Sequence, residues 1–137
     1  KFELGKGITL AEGTDVTIVA TGLMVHIALE AKELLAKEGI SAEVINIHTI
    51  KPIDTELLAK SASKTGAVVT AEEHNIVGGL GGAVCEALAE TCPVPVLRVG
   101  VEDVYGRSGK VPALLEAYGL TAENIAAKAK AAIALKK

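Results

Sequence analysis

The sequence predicts an α/β domain, a mostly parallel sheet with helices on both faces. Three observations carry that reading. Short, β-branched and almost wholly apolar runs recur along the chain, as in strands buried on both faces. Between them lie segments whose apolar residues repeat every three or four positions, the period of a helix. The chain has 137 residues, 50% of them hydrophobic. A chain of that size buries roughly 68% of its unfolded surface in one domain, with no need of disulfides or metals. Residues 1–137 are therefore read as a single domain.

The elements follow in order. Ile8-Thr9-Leu10 reads as a short edge strand, closed by the turn cluster Glu12-Gly13-Thr14-Asp15. Val16 to Ala20 is the first buried strand. Thr21-Gly22 opens a helix carrying Met24, Ile27, Ala28, Ala31, Leu34 and Leu35, with Gly39 as its C-terminal stop. Val44 to Ile47 is the second buried strand. Pro52 breaks the chain, Asp54 caps a helix over residues 55–65, and Gly66 ends it. Ala67 to Ala71 is the third buried strand, with Glu72-Glu73-His74-Asn75 at its end. Gly78-Gly79-Leu80-Gly81-Gly82 leads into a helix with Val84, Leu88 and Ala89, which Pro93 stops. Pro95 to Val99 is the fourth buried strand. A loop from Val101 to Pro112 and a short helix through Leu114, Leu115 and Tyr118 follow. Thr121 caps a last helix with Ile125, Ala129 and Ile133 on one face, Glu123 in its first turn, and Lys136 and Lys137 at its end. Right-handed crossovers then place helices on both faces of the sheet.

Composition excludes several functions. The net charge is −3, without the basic excess of a nucleic-acid or acidic-membrane binder. Phe2, Tyr105 and Tyr118 are the whole aromatic complement, too few for a base-stacking platform. Cys85 and Cys92 lack C-x-x-C spacing and are expected to be a reduced pair. No apolar stretch reaches the ~18 residues of a membrane-spanning helix, and no signal peptide opens the chain. A cytoplasmic location is expected. The first residue is Lys1 rather than Met, which suggests an excised or processed piece of a longer protein.

In open α/β sheets ligands sit beyond the carboxyl ends of the strands. Thr21, His48, Glu72, Glu73 and His74 fall there and can form one rim. Glu72 and Glu73 offer two carboxylates for general acid–base chemistry. Adjacent residues of an extended segment point to opposite sides, however, so helix capping or an interface role is favoured over catalysis. The glycines Gly78, Gly79 and Gly81 stand before a helix, where bare N–H groups can bind an anion. Val84 breaks the G-x-G-x-x-G/A pattern, and no G-x-x-x-x-G-K-[ST] occurs. Close helix–sheet packing is the favoured role for these glycines. His26, His48 and His74 show no metal-ligand spacing. Arg107, in Arg107-Ser108-Gly109, suits either a phosphate or backbone carbonyls.

Four segments, in this order and spacing, resemble the C-terminal domain of transketolase over nearly the whole chain. They are Gly13-Thr14-Asp15-Val16-Thr17-Ile18-Val19-Ala20-Thr21-Gly22, Ile47-His48-Thr49-Ile50-Lys51-Pro52-Ile53-Asp54, and Glu72-Glu73-His74-Asn75-Ile76-Val77-Gly78-Gly79-Leu80-Gly81. The fourth is Tyr105-Gly106-Arg107-Ser108-Gly109 together with Tyr118-Gly119-Leu120-Thr121. The third and fourth favour transketolase over the related 2-oxo acid dehydrogenase β-subunits and deoxyxylulose-phosphate synthase.

The resemblance implies a three-layer α/β/α fold. Its five-stranded, mostly parallel sheet has a short antiparallel N-terminal edge strand. It also implies, for the whole enzyme, two-carbon ketol transfer between sugar phosphates, using thiamine diphosphate and a divalent metal. That cofactor is expected in the pyrophosphate and pyrimidine domains of the parent enzyme. No Gly-Asp-Gly occurs here, and the pattern of the cofactor-activating glutamate is absent too. No catalytic, cofactor-binding or metal-binding residue is therefore carried over. The expectation is a non-catalytic domain that helps assemble a homo-oligomer and takes part in regulation. Its docking residues would be Glu72, Glu73, His74, Gly78, Gly79 and Gly81. The competing expectation is an anion-binding regulatory module built on the glycine turn with Arg98 and Arg107.

Overall fold

The computed structural model describes residues 5–50, 52–75, 79–101 and 120–136. The loop and short helix expected between Val101 and Tyr118 lie outside them, apart from Val101 itself. The described elements are β1 (Ile8–Ala11), β2 (Val16–Ala20), α1 (Met24–Ala36), β3 (Ala42–Asn46), α2 (Thr55–Thr65), β4 (Val68–Asn75), α3 (Leu80–Ala89), β5 (Val96–Val101) and α4 (Ala122–Ala134). The five strands form one sheet in the order β1-β3-β2-β4-β5. β1 runs antiparallel to β3, and the other pairings are parallel. The expected three-layer architecture, including the antiparallel edge strand, is thus found.

Each face of the sheet carries its own core, and the period-two alternation of strand side chains divides them. Val16, Ile18, Ala20, Val44, Val69 and Ala71 pack against Met24, Ala28, Ala31 and Leu35 of α1 and Ile125, Ala129 and Ala132 of α4. Val19, Ile45, Ile47 and Val68 pack on the opposite face against Leu58 and Ala62 of α2 and Leu80, Val84 and Leu88 of α3. Every residue of β2 is buried, which accounts for its continuous apolar run. Among the described residues no helix is long and apolar enough to cross a membrane.

Helix ends follow the expected chemistry at three places. Asp54 accepts a hydrogen bond from Leu57 N–H at 3.2 Å and a second from Gly7 N–H at 2.9 Å, tying the arm before β1 to the start of α2. Gly66 ends α2 at φ 79°, its N–H bonded to the Ala62 carbonyl. Thr121 accepts from Asn124 N–H at 3.1 Å, opening α4. The far end of α4 differs from expectation. The helix stops at Ala134 with no basic residue in its last turn, and Lys136 lies against Gly66 instead.

Two of the strand boundaries that differ from expectation bear on the polar residues of the sheet. β3 begins at Ala42 rather than Val44, which brings Glu43 into the sheet. β4 continues beyond Ala71 to Asn75, so Glu72, Glu73 and the backbone of His74 belong to the strand itself.

Candidate functional site at the carboxyl ends of the strands

The chain leaves β2 toward β3 on one side and reaches β4 on the other. The point where the winding reverses lies between the carboxyl ends of β2 and β4, the crevice where open α/β sheets hold ligands. Glu72 and Glu73 stand at that place.

Alternation along β4 sends the two carboxylates to opposite faces. Glu72 follows Val68 and Thr70 toward α3 and is 1% exposed. Its Oε1 accepts from Leu80 N–H at 2.8 Å and its Oε2 from Gly81 N–H at 2.9 Å. These amides belong to the first turn of α3, which lack partners within a helix. The buried charge is thus held by two charge-assisted bonds at the positive end of the helix dipole. α3 has Gly79 at its N-cap, with no side chain to do this work.

Glu73 goes the other way. Its Oε1 accepts from Leu23 N–H at 2.9 Å, at the entrance of α1. Gly22, just before, has φ 61°, and a Cβ there would lie 2.6 Å from that oxygen. The positive φ is what favours glycine there, since the carboxylate ends a flexible side chain and can shift. Thr21, expected to open the helix, instead supplies its carbonyl to Met24 N–H.

The five residues of the expected rim therefore divide. Thr21 and His48 line an open cavity of about 660 Å³, with Gly22, Leu23, His26 and Asn46. Glu73 borders that cavity through Leu23 and Gly22. Glu72 faces the opposite side of the sheet, under α3. The side chain of His74 lies outside the described residues, as do Gly78 and Arg107. Gly81 allows α3 to approach the sheet closely: a Cβ there would lie 2.5 Å from Arg98 Cδ and 3.0 Å from Thr70 Oγ1. Both helix entrances that an anionic ligand would seek are already met by the chain's own carboxylates.

A polar cluster at the other end of the sheet escaped sequence reading. Glu43 is 4% exposed and faces α2. Its Oε1 accepts from Gly13 N–H at 3.2 Å and from Lys64 Nζ, and its Oε2 accepts from the Ser61 hydroxyl at 2.6 Å. Burial pushes the Glu43 carboxyl up, but the bonds from Lys64, Ser61 and Gly13 outweigh it and hold the group below its ordinary value. The bond to Glu43 in turn raises the Lys64 ammonium. The signal was a lone acid beside Val44-Ile45, hidden by starting the strand two residues late.

Thiamine diphosphate with its metal, implied for the whole enzyme, finds no seat among the described residues. Among them no three His, Cys, Asp or Glu side chains are grouped to hold a metal ion. The carboxylates at the strand ends are committed to backbone amides.

Comparison with known proteins agrees with this architecture. Residues 5–125 match the family model described as transketolase, C-terminal domain. The 6-deoxy-6-sulfo-D-fructose transketolase subunit SqwH of Clostridium sp. (strain MSTE9) is 57% identical over 91% of this chain, and the match spans 39% of that protein. The 1-deoxy-D-xylulose-5-phosphate synthase of Heliobacterium modesticaldum is 49% identical over 93% of this chain, spanning 20% of the synthase. A solved structure described as a split gene transketolase, inactive beta4 tetramer, superposes with a TM-score of 0.96 and 55% identity. It covers all of this chain (100%) and 45% of that one. The chain thus spans less than half the length of these relatives. It belongs to the transketolase C-terminal domain family.

Proposed function

We propose that this chain is the non-catalytic C-terminal domain of a split transketolase. In the whole enzyme, thiamine diphosphate and a divalent metal supply the chemistry of two-carbon ketol transfer between sugar phosphates. This domain positions and assembles the domains that hold them, within a cytoplasmic homo-oligomer. The similarity to a split-enzyme subunit and to a tetrameric split transketolase supports the assignment. The observation that carries the non-catalytic reading is the commitment of Glu72 and Glu73 to helix amides. A general acid or base needs to reach a substrate proton, whereas both Glu72 oxygens are engaged by α3 and Glu73 Oε1 by α1. Docking falls to the same crevice at Glu73 and Gly79, and the sequence adds His74 and Gly78 as further candidates. Leu23, 43% exposed on the cavity rim, adds apolar surface there.

A thermal-melt series on the isolated chain tests this reading. The additions are thiamine diphosphate with magnesium, pentose phosphates, sulfate, and a partner polypeptide carrying the other two domains. A ligand at a hundredfold excess over its dissociation constant stabilises by about 2.7 kcal/mol. Stabilisation by the partner alone is expected. A rise with sulfate or a sugar phosphate would establish the anion-binding alternative, and a rise with thiamine diphosphate alone would overturn the assignment.

A further inference from the structure

The buried cluster under α2 has one hydrogen too few. Ser61 Oγ lies 2.6 Å from Glu43 Oε2, Thr17 Oγ1 lies 2.7 Å from both Ser61 Oγ and Thr65 Oγ1, and Thr65 Oγ1 lies 3.2 Å from the Ala67 carbonyl oxygen. These are four contacts, and three hydroxyl groups supply three hydrogens. All four side chains are buried, at 4% exposure or less, so the three hydroxyls are held to these contacts.

The charge of Glu43 fixes the first donor, and the contact lengths then decide which contact goes without. An ionised carboxylate only accepts, so Ser61 donates to it. Thr17 then donates to Ser61, and Thr65 to Thr17. The longest contact, Thr65 to Ala67, is given up. A proton on Oε2 supplies the fourth hydrogen. Glu43 now donates to Ser61, Ser61 to Thr17, Thr17 to Thr65, and Thr65 to the Ala67 carbonyl. Every hydroxyl turns, no heavy atom needs to move, and all four contacts are made. The Ala67 carbonyl also accepts Thr17 N–H at 2.9 Å, so the relay ends on a pairing bond between β2 and β4.

We propose that Thr17, Ser61 and Thr65 form a reversible hydroxyl relay that carries the protonation state of Glu43 from β3 to the Ala67 carbonyl at the start of β4. The surrounding groups allow both states. Lys64 of α2 and the Gly13 amide, in the turn between β1 and β2, bind Oε1 and leave Oε2 to the relay. Lys60 of α2, Glu12 of the turn and Thr9 of β1 line the adjoining cavity of about 320 Å³. Glu12 also acts on this pair and favours the Lys64 ammonium. Chains of hydrogen bonds polarise one another, so reversal is concerted.

The test is the carbonyl carbon shift of Ala67, read by NMR on the full labelled chain. Glu43→Gln at neutral pH stands in for the protonated acid, because its amide N–H₂ donates to Ser61 while its oxygen still accepts from Lys64. Ala67 then gains a hydroxyl donor, and its carbonyl carbon moves downfield. Thr17→Val cuts the relay and leaves Thr65 always donating to Ala67, so adding Glu43→Gln in that background moves nothing. Thr65→Val is the second control. It removes the donor, and Glu43→Gln again leaves Ala67 unmoved. An Ala67 shift indifferent to Glu43→Gln, or equally sensitive in either control background, would overturn the relay.

Discussion

Glu72 and Glu73 are neighbours in β4, yet they anchor the first turns of two helices on opposite faces of the sheet. Strand alternation alone produces this divergence. One dipeptide thereby sets both α1 and α3 against the same strand end. The two anchors differ in burial, and their energetics should differ accordingly.

Glu72→Ala leaves Leu80 and Gly81 N–H without an acceptor beneath α3, where an unsatisfied buried group costs about 1–3 kcal/mol. A loss of about 2–3 kcal/mol is expected in urea unfolding. Glu72→Gln keeps one acceptor oxygen but sets its N–H₂ donor against the other backbone N–H, so it should lose a comparable amount. Equal and negligible losses in both variants would remove the anchoring role.

Glu73→Ala should cost less, about 0.5–1 kcal/mol, the usual range for an exposed cap. Leu23 N–H is near solvent, and water replaces the carboxylate. Hydrogen exchange at Leu23 and Met24 should quicken while α3 amides are unchanged. Slower or unaltered exchange at the α1 entrance would contradict the bond.

The glycines give a graded series. A Cβ on Gly13 would lie 2.3 Å from the Ala42 carbonyl carbon and 2.6 Å from Glu43 N, where backbone cannot yield. Gly13→Ala should cost at least about 2–3 kcal/mol and loosen the Gly13–Glu43 bond. Gly82, inside α3 with open space around its Cα, is the opposite case. Gly82→Ala should stabilise by about 0.5–1 kcal/mol. Paired thermal melts check both signs.

Acid sensitivity should trace to Glu43. Its carboxyl is held below the ordinary 4.5 in the folded chain. The stability it contributes is present above that ordinary value and is lost as pH falls through the lower folded value. Glu43→Gln should flatten the stability profile below about pH 4.5. Lys64, raised above 10.5, gives the opposite limb: its contribution is present below that value and lost as pH rises through the folded one. Urea midpoints across acid and alkaline pH, in wild type, Glu43→Gln and Lys64→Met, separate the two limbs.

Much of this fold is legible in the sequence because each device is local. Asp54 and Thr121 cap helices that start at the next residue, each accepting from an N–H three positions on, and Gly66 ends one in place. The apolar run at Val16–Ala20 announces a strand covered on both sides. The antiparallel placement of β1 came from family resemblance, since a four-residue arm carries no direction of its own. The site was harder to read because its bonds span the chain. Glu73 and Leu23 are 50 positions apart, and Gly13 and Glu43 are 30 apart. Adjacent glutamates suggested opposite sides, but no local pattern named α1 and α3 as their targets. Glu43 was missed because an acid beside an apolar run reads as a strand edge, and only α2 folding over it buries the charge.

The central claim is that Glu73 serves assembly rather than chemistry, and the concentration dependence of turnover tests it most directly. The reconstituted enzyme carrying Glu73→Ala would be assayed across subunit concentrations, with sedimentation at each point. An assembly residue loses activity only where subunits dissociate, so turnover should return to within about twofold of wild type at saturating partner. General acid–base groups contribute about 10²–10⁴-fold at any concentration. Turnover depressed at least tenfold in a fully assembled enzyme would contradict the account.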